Sequence, residues 1–416
     1  MKDRVFDIVI FGASGCTGRF LIEELVKYQG RNPRENFTWA VAGQYMHELE
    51  SMLQEISTVT EKDCTQTDKI IADAMNIESL RKMSAKCKVV INCVGPFRFF
   101  GENLVKACLA ERTDLIDASG EAQYHLKMQL LYSKEAEERN IYIISSCGFA
   151  SIPADCGTAL MQKEFPGDLN SVEIFYEIND YSKKALQANV ASLISCIHIA
   201  ANLREWDNLE KKVLSGSKFD YKYRVKNRII HYNNDVASWC LINFQCDASV
   251  IRRSQHFLYQ TENKRPLQAT SYVKLPSFIA TLFNLLLILA FTGLCQFKIG
   301  RLLLEKFPKI CTLGHIDPNK RISGKYLNSV RFKFTIVGRG WDNRFMGTLN
   351  QHSEPPNFTR RIEVSGYNPF YAGSAIMLIQ SALTVLNEKD KMPGRGGVLP
   401  PGVAFAGTTL VKRLND

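Results

Sequence analysis

Three glycines, Gly12, Gly15 and Gly18, punctuate the stretch VFDIVIFGASGCTG that runs from Val5 to Gly18. Glycines placed so suit the grip on a pyrophosphate: one makes a tight turn, one lets the backbone approach the phosphates, and one lets the following helix pack closely on its strand. The turn, with Ser14, Cys16 and Thr17 between the glycines, also presents free backbone N–H groups at a helix start, where the helix dipole favours negative charge. The ligand such a turn serves is a dinucleotide, NAD or NADP. The spacing is GxxGxxG and not GxGxxG, which taken alone also fits a glycine-rich turn in some other strand–helix unit.

A nicotinamide cofactor implies hydride transfer, and hydride transfer calls for a group that moves a proton. The candidates are polar residues on loops that should follow strands: Ser119, Glu121, Ser151 and Asp155. Each has an alternative reading as a helix cap. No tyrosine is followed four residues later by lysine, and neither a GxSxG elbow nor an HExxH helix occurs. A short-chain reductase mechanism, a serine hydrolase and a zinc peptidase therefore lack their signatures. No His/Cys cluster has metal-ligand spacing, so no metal is expected.

These residues need a frame, and the pattern supplies one. The apolar run Val5–Phe11 reads as a strand, and a helical pattern (Phe20, Leu21, Leu25, Val26) follows the turn. A second strand, Phe37–Ala42, ends at Gly43-Gln44. At that tip an acidic residue selects NAD and a basic one accepts the NADP phosphate; Gln44 decides neither. A helix over Glu48–Ile56 and a strand over Lys69–Ala72 lead to Asp73, read either as an adenine contact or as the cap of the next helix, Ile77–Met83. In the strand Val89–Val94, Asn92 offers an amide to backbone or ribose, and the loop Gly95-Pro96-Phe97-Arg98 should lie near the nicotinamide. A helix over Asn103–Glu111, a strand over Asp114–Ala118 with Ser119-Gly120-Glu121 at its tip, a helix over Met128–Arg139 and a strand over Ile141–Ser145 complete the alternation. Alternating strands and helices predict an α/β fold, a Rossmann-type doubly wound parallel sheet over residues 1–157.

Past that point the rhythm changes. Gly148–Gly157, GFASIPADCG, reads as a loop that closes over the cofactor. Strand candidates at Ser171–Ile178, Ala269–Leu275, Ser329–Val337 and Arg360–Ser365 are widely spaced and several alternate in polarity, which predicts a mixed or antiparallel sheet. Between them a helix is expected from Ala185 to about Leu203, then irregular basic sequence through Asn234. Residues 158–366 thus form a second, α+β domain for substrate and dimerisation, and 367–416, with a helix over Ala372–Leu386 and the Gly/Pro-rich Gly394–Gly402, are expected to complete the first.

One run stands apart: no residue from Phe278 to Phe297 is charged, and about 20 apolar residues suffice to cross a bilayer. Arg252, Arg253, Arg265 and Lys274 precede it and Lys298, Arg301, Lys306 and Lys309 follow it. Basic residues on both sides suit a segment that dips into a lipid surface with both ends on the cytosolic side; a buried helix is the alternative.

Over 416 residues the net charge is +10, with 45% hydrophobic and 23% charged residues, a globular composition. No dense Lys/Arg block is interleaved with aromatics, which argues against nucleic acid as a partner. Twelve scattered cysteines without a CxxC pair read as reduced thiols, hence a reducing compartment, and the opening residues enter the first strand without a leader pattern.

Taken in order, FGASGCTG, NCVGPFRFFGE, IDASGE, GFASIPADCG and GGVLPPGVAF resemble the saccharopine dehydrogenase-like oxidoreductases over essentially the whole chain. The resemblance implies a Rossmann domain built from the N-terminal part and the extreme C-terminus, with an inserted substrate domain, and association with lipid droplets and other membranes, mitochondrial ones included. Relatives include a bacterial trans-acting enoyl reductase of glycolipid assembly, which extends the expectation to a hydrophobic, long-chain lipid substrate. Two positions depart from the family pattern: Gln44 stands where arginine is common, and Ala150 replaces the aspartate of GFDSIPAD. The expected activity is NAD(P)-dependent oxidoreduction at a lipid surface. The rival readings are a catalytically impaired scaffold or nucleotide sensor, and reduction to saccharopine in lysine breakdown.

Overall fold

The computed structural model describes residues 4–149, 151–180, 188–216, 219–312, 314–318, 322, 329–345 and 352–415. The alternation opens with β1 (Phe6–Phe11), α1 (Cys16–Arg31), β2 (Trp39–Gly43), α2 (Met46–Thr60), β3 (Lys69–Ile71) and α3 (Ile77–Ser84). It continues with β4 (Cys87–Asn92), α4 (Phe97–Glu111), β5 (Asp114–Asp117), α5 (Ala122–Glu138) and β6 (Tyr142–Ile144). The strands read as unbroken apolar runs because helices cover both faces, and Ile8, Val9 and Ile10 are wholly buried. Phe97 and Arg98, expected in a loop, instead open α4. The carboxylate of Glu121 accepts their N–H groups at 2.8 and 2.9 Å and so caps the helix from another part of the chain.

GFASIPADCG is a loop only to Ser151: Ile152–Cys156 make a π-helical turn that runs into α6 (Gly157–Glu164). Ala150 lies outside the described residues. Then follow β7 (Leu169–Asp180), α7 (Val190–Ala201), α8 (Leu203–Val213), β8 (Ile230–Asn233), β9 (Ser238–Ile242), α9 (Asp247–Glu262) and β10 (Gln268–Leu275). After them come α10 (Phe278–Gln296), α11 (Lys298–Lys306), α12 (Pro308–Cys311), β11 (Val330–Gly340) and β12 (Phe358–Tyr367). The helix expected over Ala185–Leu203 is in fact shorter. Residues 185–187 lie outside the described residues, and the helix breaks at Asn202, whose side chain donates to the His198 carbonyl at 2.7 Å. The stretch expected to be irregular through Asn234 contains α8 and β8; α8 is strongly charged and buries only Val213, so it carries a weak apolar signal.

The chain then forms α13 (Ser374–Glu388), β13 (Gly397–Leu399), α14 (Pro401–Ala404) and α15 (Leu410–Asn415). The first sheet has seven strands in the order β13-β6-β5-β4-β1-β2-β3, every pair parallel. β13 pairs in register with β6, Gly397 opposite Tyr142 and Leu399 opposite Ile144. Helices α1, α2 and α13 pack one face, α3, α4 and α5 the other. The second sheet, β12-β11-β7-β10-β9-β8, is antiparallel except for the β7–β10 pair. Phe149 joins the two sheets, its ring meeting Phe332 at 5.1 Å, Phe334 at 5.5 Å and Phe370 at 5.5 Å between centroids.

Among the described residues, two stretches are long and apolar enough to cross a membrane. Pro369–Lys391 is 83% buried and belongs to the core, whereas Phe278–Gln296 has a mean hydropathy of 2.3 and is only 11% buried. The polar residues of α10 are satisfied locally: Asn284 donates to the Ala280 carbonyl at 2.9 Å, and Gln296 to the Ala200 carbonyl of α7 at 2.8 Å. Leu193, Ile197 and Ala200 of α7 share a small core with Cys295 of α10, Leu304 of α11 and Ile316. The outer surface of this assembly is apolar and open, with Ile279 77%, Ile299 82% and Ile310 74% exposed.

Candidate functional site

The turn after β1 has the geometry its glycines require. Gly12 has φ of +82°, and a Cβ there would lie 2.6 Å from Val94 Cγ2. A Cβ on Gly18 would sit 2.3 Å from the Gly12 carbonyl oxygen, and one on Gly15, the residue before α1, 3.2 Å from the same oxygen. The turn is therefore folded closely on itself ahead of α1, whose first N–H groups are the ones that can hold an anion. Cys16 and Thr17 are the first two residues of α1, and Ser14 precedes them.

Along the C-terminal edge of the sheet, Asn92 ends β4 directly beside Phe11 of β1. Its Oδ1 accepts the Val94 N–H at 2.9 Å, while its buried Nδ2 has no hydrogen-bond partner. A buried amide left without an acceptor is costly, and a ligand oxygen at the strand tip would satisfy it. Gly95-Pro96, a cis peptide, leads into α4. At the far end of this edge, Glu121 holds the α4 N–H groups and also accepts the Ser195 hydroxyl of α7 at 2.7 Å. Ser119 Oγ accepts the Glu121 N–H at 3.1 Å, and the buried Asp117 carboxylate accepts the Ser119 N–H at 2.9 Å. Burial pushes Asp117 up to about 6.

Helix α7 crosses this same edge. Its cap residue Asn189 lies beside Tyr371, which also faces Cys16 and sets its ring at a tilt against Phe20, 4.9 Å between centroids, next to the glycine turn. Ser195 reaches Glu121 midway, and the Gln123 amide donates to the carbonyls of Ile199 and Asn202 at the other end. The twelve helical residues of α7 span ~18 Å along this edge. Cys196 is exposed, and burial of its surroundings and the nearby Glu121 push its thiol up.

The other two proton-transfer candidates lie together, the Asp155 N–H donating to the Ser151 carbonyl at 2.8 Å. Ser151 donates to Asp247 Oδ1 at 3.2 Å; Asp155 accepts the Ser254 hydroxyl at 2.8 Å and the Gly402 N–H at 2.7 Å. Burial pushes Asp155 up to about 6 and Asp247 up to about 7, the latter helped by the charge of Asp155. Arg253, 1% exposed, donates through Nε to Gln129 at 2.5 Å, while its Nη1 and Nη2 have no hydrogen-bond partner; Asp155 is its strongest charge contact. A cavity of about 670 Å³ opens beside this cluster, lined by Asp155, Ser254, Lys163, Trp341 and Phe405 among others; the glycine turn is not part of it.

At the β2 tip Gln44 Nε2 lies 3.5 Å from Asp73 Oδ2, so these two expected cofactor residues do meet. Asp73 does not cap α3: Asn76 does, accepting from Glu78 and Ser79, while Asp73 braces the turn through the Met75 N–H. Residues that the sequence pattern did not single out are Glu48, Asn189, Ser195, Asp247 and Tyr371. Arg253 appeared there only as flanking charge. None falls in a glycine turn or a strand tip of the first sheet, so only the fold brings them in.

A seven-stranded parallel sheet in this order, with a glycine turn after β1, defines a dinucleotide-binding oxidoreductase domain. Residues 8–144 match the family model described as the saccharopine dehydrogenase NADP binding domain, and the cofactor class is accordingly NAD(P). Over its whole length the chain is 32% identical to a saccharopine dehydrogenase-like oxidoreductase of Rattus norvegicus, covering 96% of that protein. It is 30% identical to a lipid droplet localized protein of Caenorhabditis elegans, over 97% of this chain and 95% of that one. The solved saccharopine dehydrogenase (L-Glu forming) of Saccharomyces cerevisiae shares the fold, with a TM-score of 0.50 at 12% identity over 98% of this chain and 96% of that one. The chain belongs to the saccharopine dehydrogenase-like oxidoreductases.

Proposed function

We propose that this chain is an NAD(P)-dependent oxidoreductase working at a lipid surface on a hydrophobic substrate. In this reading residues 1–157 with 367–416 hold the cofactor, and 158–366 supply the wall of the cleft and the lipid-facing face. Gly12, Ser14, Gly15, Cys16, Thr17 and Gly18 would hold the pyrophosphate, Gln44 and Asp73 the adenosine end, and Asn92, Gly95 and Pro96 the nicotinamide half. When bound, the cofactor supplies or accepts a hydride. The observation that carries the reading is α7. One side of this helix bonds Glu121 and Gln123 along the cofactor edge, and the other packs against α10 and α11, whose outer surface is apolar and exposed. An apolar substrate taken from lipid beside α10 would meet the cleft one helix away.

Lipid contact is further supported by the charge around the apolar surface. Lys298, Arg301, Lys306 and Lys309 follow α10, and basic residues beside a buried apolar face add attraction to anionic lipids. Glu121 and Asp155 act as positioning residues in this reading, because their oxygens accept N–H and O–H groups from the protein. Ser151, bonded to Asp247, is assigned to hold a proton. That same internal engagement favours a second reading, a nucleotide sensor or scaffold without turnover.

One experiment separates the two readings. The protein is mixed with NADH or NADPH and with anionic vesicles carrying long-chain enoyl or carbonyl lipids, and loss of the reduced nicotinamide absorbance is followed alongside vesicle flotation. Oxidation that requires the lipid supports the enzyme; flotation with bound nucleotide and no oxidation supports the sensor. Failure to float overturns the lipid-surface assignment.

A further inference from the structure

We propose that this chain selects NAD(H) over NADP(H) and that Glu48 is the residue that sets the choice; the proposal rests on the cofactor reading above. In sheets of this order the adenosine ribose meets the tip of the second strand, where a 2′-hydroxyl and a 2′-phosphate are told apart. Here the hydroxyl of Ser14 leans over that tip, 3.8 Å from where a Cβ on Gly43 would stand. Ser14 Oγ donates to Glu48 Oε2 at 3.0 Å, which fixes a carboxylate between the glycine turn and the first turn of α2. Across the tip, Asp73 sets a second carboxylate next to the Gln44 amide. From Gly43 to Glu48, and from Ala72 to Asn76, the sequence contains neither lysine nor arginine.

The two cofactors ask opposite things of this corner. A ribose 2′-hydroxyl donates a hydrogen bond, and a carboxylate is its natural acceptor. A 2′-phosphate brings close to two negative charges and asks for a cation or a spread of donors. Placed against Glu48 and Asp73 it meets like charge, which disfavours binding. Glu48 is exposed, so its repulsion is screened and the discrimination should weaken as salt rises. The residues present fit the shared pyrophosphate and fit NAD at the ribose, and they do not fit the extra phosphate.

The test is calorimetric titration of the full chain with NADH and with NADPH at low salt, repeated at physiological salt, for the native sequence, Glu48→Gln, and the double variant Gln44→Arg, Glu48→Lys. The expected result is NADH tighter by about tenfold or more, a smaller gap at higher salt, a narrowed gap in Glu48→Gln through gain of NADPH affinity, and a reversed preference in the double variant. Both positions are on the surface, so folding is preserved. Equal or tighter NADPH binding by the native chain, or a gap unmoved in both variants, would overturn the assignment of Glu48 while leaving the cofactor site standing. Binding of neither nucleotide would overturn this assignment and the cofactor reading together.

Discussion

Ser195 on α7 and Glu121 at the tip of β5 are joined by a 2.7 Å hydrogen bond, and the same carboxylate caps α4 through Phe97 and Arg98. Three elements from distant parts of the chain therefore meet on one side chain. Glu121→Gln replaces one acceptor oxygen by a donor that must face an N–H or O–H group. The expected loss is about 1–3 kcal/mol of stability, together with weaker nucleotide binding. Denaturant unfolding and calorimetry check both; an unchanged midpoint would show that the cap is dispensable.

The glycine turn makes a graded prediction. Gly18→Ala drives a methyl group against the Gly12 carbonyl at 2.3 Å with backbone on every side, so α1 must shift from β1 and thermal stability should fall. Gly15→Trp leaves the packing of the sheet intact but fills the concavity, so nucleotide affinity should vanish while the unfolding midpoint moves little. Retained affinity in Gly15→Trp would place the pyrophosphate elsewhere.

Asp247 gives a pH dependence whose sign can be worked out. Its folded value, pushed up to about 7 from 3.8 by burial, means that the native state holds a proton the unfolded chain has released between those two values. Stability contributed by this group is lost as pH rises through that window. Asp247→Asn lacks this loss, so its stability relative to the native sequence should climb between pH 5 and pH 8, by an amount on the order of 1–3 kcal/mol. Parallel curves for the two proteins would mean that Asp247 titrates normally.

Arg253 stabilises the charged form of Asp155 from a site with no access to water. Substituting methionine removes a buried guanidinium whose Nη groups are unsatisfied, and it leaves Asp155 without its cation. Below pH 5, where Asp155 is protonated, Arg253→Met should be close to neutral; above pH 7 it should cost about 3 kcal/mol or more. A loss that is the same at both pH values would assign Arg253 a packing role only.

The α10 surface offers a fifth test. Leu282→Ser, Phe283→Ser and Leu286→Ser combined alter residues that are all exposed and leave Thr281 and Cys295, the buried pair of the helix, in place. Flotation with anionic vesicles should be lost while nucleotide affinity is kept. Undiminished flotation would shift the lipid contact to α11 and α12.

The first sheet was legible because parallel strands buried on both faces leave unbroken apolar runs, and because a glycine turn constrains its own neighbours. Its order follows from the right-handed crossover. α4 was misjudged at its start because the group that caps it, Glu121, lies 23 residues and more beyond it in the chain, where no local signal can show. α8 and β8 were missed for other reasons: α8 is periodic but so rich in charge that its apolar stripe is thin, and β8 is a four-residue edge strand. At the site, Gln44 and Asp73 were named from their places after two strands, but Glu48 and Ser195 became visible only when α2 folded back to Ser14 and α7 crossed the sheet. The contacts of Asp155 and Ser151 with Gly402, Ser254 and Asp247 bridge about 95 to 250 residues of sequence, beyond any local pattern.

The pairing of β13 with β6, Gly397 opposite Tyr142, sets an order of events during synthesis. When β6 leaves the ribosome its outer edge has no partner, and about 250 residues, α10 among them, must be made before that partner exists. The apolar helix thus emerges while the nucleotide sheet still has an open edge, a template for unwanted strand pairing. On the lipid-surface reading proposed above, early capture of α10 would hold the nascent chain apart from its neighbours until the sheet closes, and one apolar face would serve as a refuge during the protein's birth.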